Sequence, residues 1–160
     1  MYDPDPRRSS IPKVIGILAI VFASLGILGA LAMAFGVDED MAKHGTTREN
    51  LGAFGSWMLA HVPLAGLVFA VHLTAGIQSV CYAASAPRWM TIYGALAIAL
   101  VLTDLAVSVA TFPHLTSQEL QEDLLDPRLG LAVLSLPWPI VAIVLMNQRS
   151  ARLACATQRI

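Results

Sequence analysis

From Val14 to Gly36 the chain carries no charged side chain and one hydroxyl, Ser24. Wound as a helix, a run of that length measures roughly 35 Å, enough to cross the hydrocarbon core of a bilayer. Three more apolar stretches follow, at about 55–84, 89–112 and 129–148. A soluble protein of this composition would expose very large apolar patches. Charged residues make up only 13% of the chain, against the ~25% usual for a soluble domain. The pattern predicts an all-α, four-helix transmembrane bundle with spans at about 13–36, 55–84, 89–112 and 129–148. The polar residues 1–10, with two prolines, read as a disordered lead-in. Residues 11–148 form the membrane domain, and 149–160 a basic tail. The first run is too long for the core of a signal peptide.

Charge placement predicts the threading. Arg7, Arg8 and Lys13 precede the first span, Arg88 lies between the second and third, and Arg149, Arg152 and Arg159 follow the fourth. The opposite side holds only Lys43, Arg48 and Arg128. The positive-inside rule then puts both termini in the cytoplasm, as a multi-pass protein of the cell inner membrane. Asp38, Glu39 and Asp40 make the first external connection acidic, and Thr46 with Glu49 has capping-box spacing before the second span. In the second external connection, Leu120 and Leu124 alternate with Glu119, Glu122 and Asp123. That spacing predicts a short amphipathic helix over 117–125.

The second and third spans form a hairpin whose reversal is expected at Ala86-Pro87-Arg88. Its arms carry the polar residues that matter: His61, His72 and Gln78 on the first, Asp104 on the second. A carboxylate at mid-membrane costs roughly 2.5–3.5 kcal/mol on insertion scales, so its presence calls for a partner or a task. Antiparallel pairing about that turn sets Asp104 opposite Phe69–His72, with His72 as the expected partner. Either Asp104 is a buried polar clasp, or the pair binds and releases a proton or cation. Gln78 reads more simply as a polar link between helices. His61 and His72 share a helix face about 16 Å apart. That spacing also suits haem ligation, by either histidine or by His61 with His114.

Other features shape packing. Gly26, Ala30 and Ala34 form a small-residue row on the first span, and Ala95, Ala99 and Thr103 form another on the third. Pro63 favours a kink in the second span, and Pro137-Trp138-Pro139 breaks the fourth. Cys81 and Cys155 have neither disulfide nor metal-site spacing. P-loop, Rossmann, GxSxG and HExxH motifs are absent from the sequence. No enzymatic activity, resident cofactor or nucleic-acid partner is expected.

The stretch IPKVIGILAIVFASLGILG, residues 11–29, resembles the first span of small uncharacterised bacterial four-span membrane proteins. That resemblance implies an inner-membrane location and no particular activity. The expected role is helix–helix association in the lipid bilayer, as an accessory subunit of a membrane-protein partner or as a homo-oligomer. The alternative is a transporter or a proton- or cation-conducting subunit using Asp104 and His72. A second alternative is a membrane haem protein using His61 or His72.

Overall fold

The computed structural model describes residues 9–43, 47, 49–111 and 134–157. Five α-helices have both ends within the described residues, and Leu134 and Ser135 are helical as well. The five are α1 (Ile11–Lys43), α2 (Gly52–Val80, entered through a 3-10 turn at Glu49–Leu51), α3 (Ala86–Thr111), α4 (Pro137–Asn147) and α5 (Arg149–Thr157). The expected amphipathic segment 117–125, the lead-in 1–8 and Thr46 of the expected capping box lie outside the described residues.

Three of these helices, not four, are long and apolar enough to cross a membrane: Ile11–Gly36 within α1, Glu49–Val80, and α3. This corrects the four-helix transmembrane bundle expected from the sequence. The chain bends at Leu136, and α4 begins with Pro137 in its first turn. Neither Pro137 nor Pro139 has an N–H to give to a preceding turn, and the first turn of a helix is where none is needed. The resulting helix has 11 residues, about half a crossing. The chain is nonetheless a small multi-pass membrane protein built from apolar helices embedded in a lipid bilayer.

Packing is the inverse of a soluble core. Small residues face inward: Ala19, Ala23, Ala75 and Ala142 are fully buried. Large ones face outward: Leu25, Leu28, Leu67 and Phe35 are all more than half exposed. A hydrocarbon solvent removes the incentive to bury leucine, and small side chains let backbones approach closely. The crossing of α1 and α2 is the clearest case. A Cβ placed on Gly16 would sit 2.7 Å from the Gly76 carbonyl oxygen and 2.7 Å from the Val80 nitrogen. Farther along the same pair, the Phe69 ring fills the space that a side chain at Gly26 would need. On α3 the row Ala95, Ala99 and Thr103 faces outward instead.

The hairpin turns earlier than the sequence suggests. Tyr82 adopts the left-handed region at φ 53°. The Tyr82 N–H donates to the Ser79 carbonyl and the Ala83 N–H to the Gln78 carbonyl. Those two bonds close the end of α2 as a Schellman motif, with tyrosine where glycine is usual. Pro87 is not the centre of the reversal but the second residue of α3, a position that needs no N–H. Moving the reversal about four residues toward the N-terminus shifts the facing register by about eight, or some two helical turns.

Helix α4 runs antiparallel to α3, with Asn147 Nδ2 donating to Thr91 Oγ1 at 3.0 Å. Ile143 and the Pro139 carbonyl pack over Gly94. At Gln148 the chain turns, and α5 lies against the beginning of α1 with Ala151, Ala154 and Cys155 buried. Lys13, Arg88, Arg149 and Arg152 are exposed at this one end of the bundle.

Candidate intramembrane polar site

The shifted register gives Asp104 a different partner from the one expected. Trp57 and His61 stand one turn apart on the face of α2 that meets α3. Their rings pack edge to face with centroids 5.7 Å apart. The Trp57 indole Nε1–H donates to Asp104 Oδ1 at 2.8 Å. His61 Nδ1 lies 3.3 Å from the same oxygen, close enough for charge attraction but out of line for a hydrogen bond. Both side chains are largely sheltered, His61 21% and Asp104 14% exposed. The indole bond offsets part of the cost of holding a carboxylate at this depth. One turn beyond Asp104 on α3, Ser108 is buried with its Oγ unpartnered among the described residues.

His72 sits about three turns from His61, toward the basic end. It is buried and stacked on Tyr93, ring centroids 3.6 Å apart and planes 3° from parallel. Trp138 Nε1–H donates to His72 Nε2 at 3.1 Å. Because Nε2 accepts, a neutral ring carries its proton on Nδ1, which has no partner among the described residues. Phe22 meets the Trp138 ring edge to face at 4.8 Å. The first turn of α4 is thus pinned by three helices at mid-depth. One ring nitrogen of His72 is thus engaged by Trp138 and one ring face is covered by Tyr93. Among the described residues no group of three His, Cys, Asp or Glu side chains could hold a metal ion. Gln78 accepts a hydrogen bond from Ser85 Oγ at 2.5 Å, which ties the end of α2 to the residue before α3.

Between the two histidine levels lies a cavity of about 420 Å³. Its walls come from α1 (Gly26, Gly29, Ala30, Met33), α2 (His61 to Phe69) and α3 (Tyr93 to Asp104), with Ser135 and Pro139 on the fourth side. His61 and Asp104 stand at one end of it and Tyr93 at the other, about 16 Å away along α3.

The structure therefore brings Asp104 and His61 together and leaves His72 and Gln78 in separate settings. The sequence reading missed Trp57, which lies four residues before His61 on the same helical face, and Tyr93, which pairs with His72 once the register is known. No protein-family model matches the chain, and neither a curated protein nor a solved structure is significantly similar to it. With three membrane-length helices and no match, the resemblance of residues 11–29 to bacterial four-span membrane proteins is not upheld.

Proposed function

We propose that this membrane protein transports or conducts a proton or small cation through a site at Asp104, alone or as a subunit of a larger carrier. The observation that carries this reading is the carboxylate itself. It sits within a membrane-spanning helix on the wall of a cavity, 3.3 Å from His61 Nδ1 and held by Trp57. An intramembrane ionisable residue beside a second titratable group is the arrangement that binds and releases charge at depth. His61 is the exchange partner in this reading, and His72 is the next ionisable group toward the basic end. No chemical transformation is involved.

Reconstitution into proteoliposomes tests it. An imposed pH gradient should dissipate faster with the wild-type protein than in empty vesicles. Asp104→Asn should fold normally and lose most of that excess rate, because an amide keeps the shape and cannot titrate. Unchanged flux in a folded Asp104→Asn protein would refute the reading. The outward row Ala95, Ala99 and Thr103 favours a second reading, an accessory or homo-oligomeric role through close helix contact. Ala99→Leu would then disrupt the oligomer and leave the monomer folded.

A further inference from the structure

We propose that the rim formed by Lys13, Arg88, Arg149 and Arg152 binds the headgroups of anionic phospholipid, and that this lipid holds α5 on the bundle. The inference does not depend on Asp104. One continuous apolar cluster joins Ile11 and Ile15 at the start of α1, Ala86 and Met90 at the start of α3, Met146 at the end of α4, and Cys155 of α5. Each of the four basic residues lies within three residues of a member of that cluster, so charges from separate stretches of the chain share one end. All four are exposed. Among the described residues none of these side chains has a hydrogen bond or an ion pair. The nearest described carboxylate along any of their helices is Asp104, about 24 Å from Arg88 along α3. The lead-in carries Asp3 and Asp5 but also Arg7 and Arg8, and the tail adds Arg159, so these segments leave the positive surplus in place.

The rim lies at the level of lipid headgroups. All three membrane-length helices have one end there, at Ile11, Val80 and Ala86. Tyr82 and Trp89, both half-buried, stand beside it as interfacial aromatic residues do. A leaflet keeps phosphates against such a rim at all times, and basic clusters just outside a span draw acidic lipids. A zwitterionic headgroup brings its own ammonium and leaves the surplus unanswered. Helix α5 is where the lipid matters most. It has nine residues, fewer than the roughly 12–15 that an isolated helix needs in water. The side chains it buries are small: Ala151, Ala154 and Cys155. Its two arginines add to the like charge of Lys13 and Arg88 at the same end. Anionic headgroups remove that repulsion and link α5 to the first turns of α1 and α3. With the rim bare, α5 lifts more often and uncovers Cys155.

The test follows Cys155 in the whole chain, in nanodiscs of phosphatidylcholine alone or mixed with phosphatidylglycerol of the same acyl chains. An uncharged maleimide labels the two cysteines, and peptide mass spectrometry reads the ratio of Cys155 to Cys81 labelling. Cys81 is exposed at the same end, so the ratio cancels the lower pH at an anionic surface. Phosphatidylglycerol should lower the ratio by roughly tenfold, and added salt should narrow the difference between the lipids. Arg149→Gln with Arg152→Gln should give the same ratio in both lipids. Arg88→Gln changes no residue of α5 and should shrink the lipid effect by about twofold or more. Lys43→Gln, at the opposite end of α1, should respond as wild type. Asp104→Asn should as well, which separates this proposal from the transport reading. The same ratio for the wild type in both lipids would overturn the proposal. So would equal protection by inorganic phosphate added to phosphatidylcholine discs, or a full lipid effect in both arginine variants.

Discussion

At the scale of single residues, Asp104 decides the reading, and its neighbours decide its chemistry. The Trp57 indole gives it one charge-assisted hydrogen bond, yet polar contacts in membrane bundles average only about 0.6 kcal/mol. Asp104→Asn, which still accepts from the indole, should change stability by less than about 1 kcal/mol. Asp104→Leu leaves the Trp57 N–H unpaired at depth and should cost about 1–3 kcal/mol. In the double variant with Trp57→Phe the donor is gone, so most of that loss should disappear. Steric-trap unfolding in bicelles would measure the cycle, and additive losses would show that the bond contributes nothing. The need for a polar neighbour was legible in the sequence, because a carboxylate in an apolar run is costly anywhere. Its identity was not. Trp57, His61 and His72 lie on similar faces of one helix, and only the turn geometry chooses among them.

At the scale of elements, long apolar runs were easy to read and their ends were not. The first three spans follow from length and hydropathy alone. The turn was misplaced because the residue that closes α2 is Tyr82, a side chain that rarely takes φ 53°. Pro87 drew the reversal toward itself, although its natural place is the first turn of a helix. The fourth stretch reads as one apolar run in sequence, but the chain bends at Leu136 and the helix from Pro137 is only 11 residues long, a matter of backbone donors rather than hydropathy. Glycine positions were legible as rows, yet the row that faces a neighbour could not be told from one that faces lipid. Gly16 and Gly36 make the difference measurable. A methyl at Gly16 collides with the backbone of α2, which cannot yield as a side chain can. Gly16→Ala should therefore cost about 1–3 kcal/mol and loosen the α1–α2 pair. Gly36→Ala meets nothing within 4 Å and should stabilise α1 by about 0.5–1 kcal/mol through helix propensity. Thermal unfolding in one detergent would rank them, and equal midpoints would mean that the helices do not cross at Gly16.

At the scale of the whole molecule, the exposed basic side chains among the described residues gather at the end where α1 begins, α2 ends and α5 docks. Translocation disfavours lysine and arginine in short flanking segments, so this end is the proposed cytoplasmic one. The two native cysteines lie at that end and differ in what holds them. Cys81 is exposed in the hairpin turn, whereas Cys155 is buried on the inward face of α5. Burial also pushes the Cys155 thiol above its ordinary pKa. A maleimide reacts with the thiolate, so a raised pKa and a covered sulfur both slow labelling at neutral pH. In sealed inverted vesicles a membrane-impermeant maleimide should therefore modify Cys81 readily and Cys155 hardly at all. In right-side-out cells Cys81 should be protected. Ala42 is exposed near the far end of α1, so Ala42→Cys in a Cys81→Ser background should show the opposite sidedness. Reversed sidedness at both positions would invert the proposed orientation. Rapid labelling of Cys155 in the intact membrane would instead mean that α5 does not stay docked on the bundle.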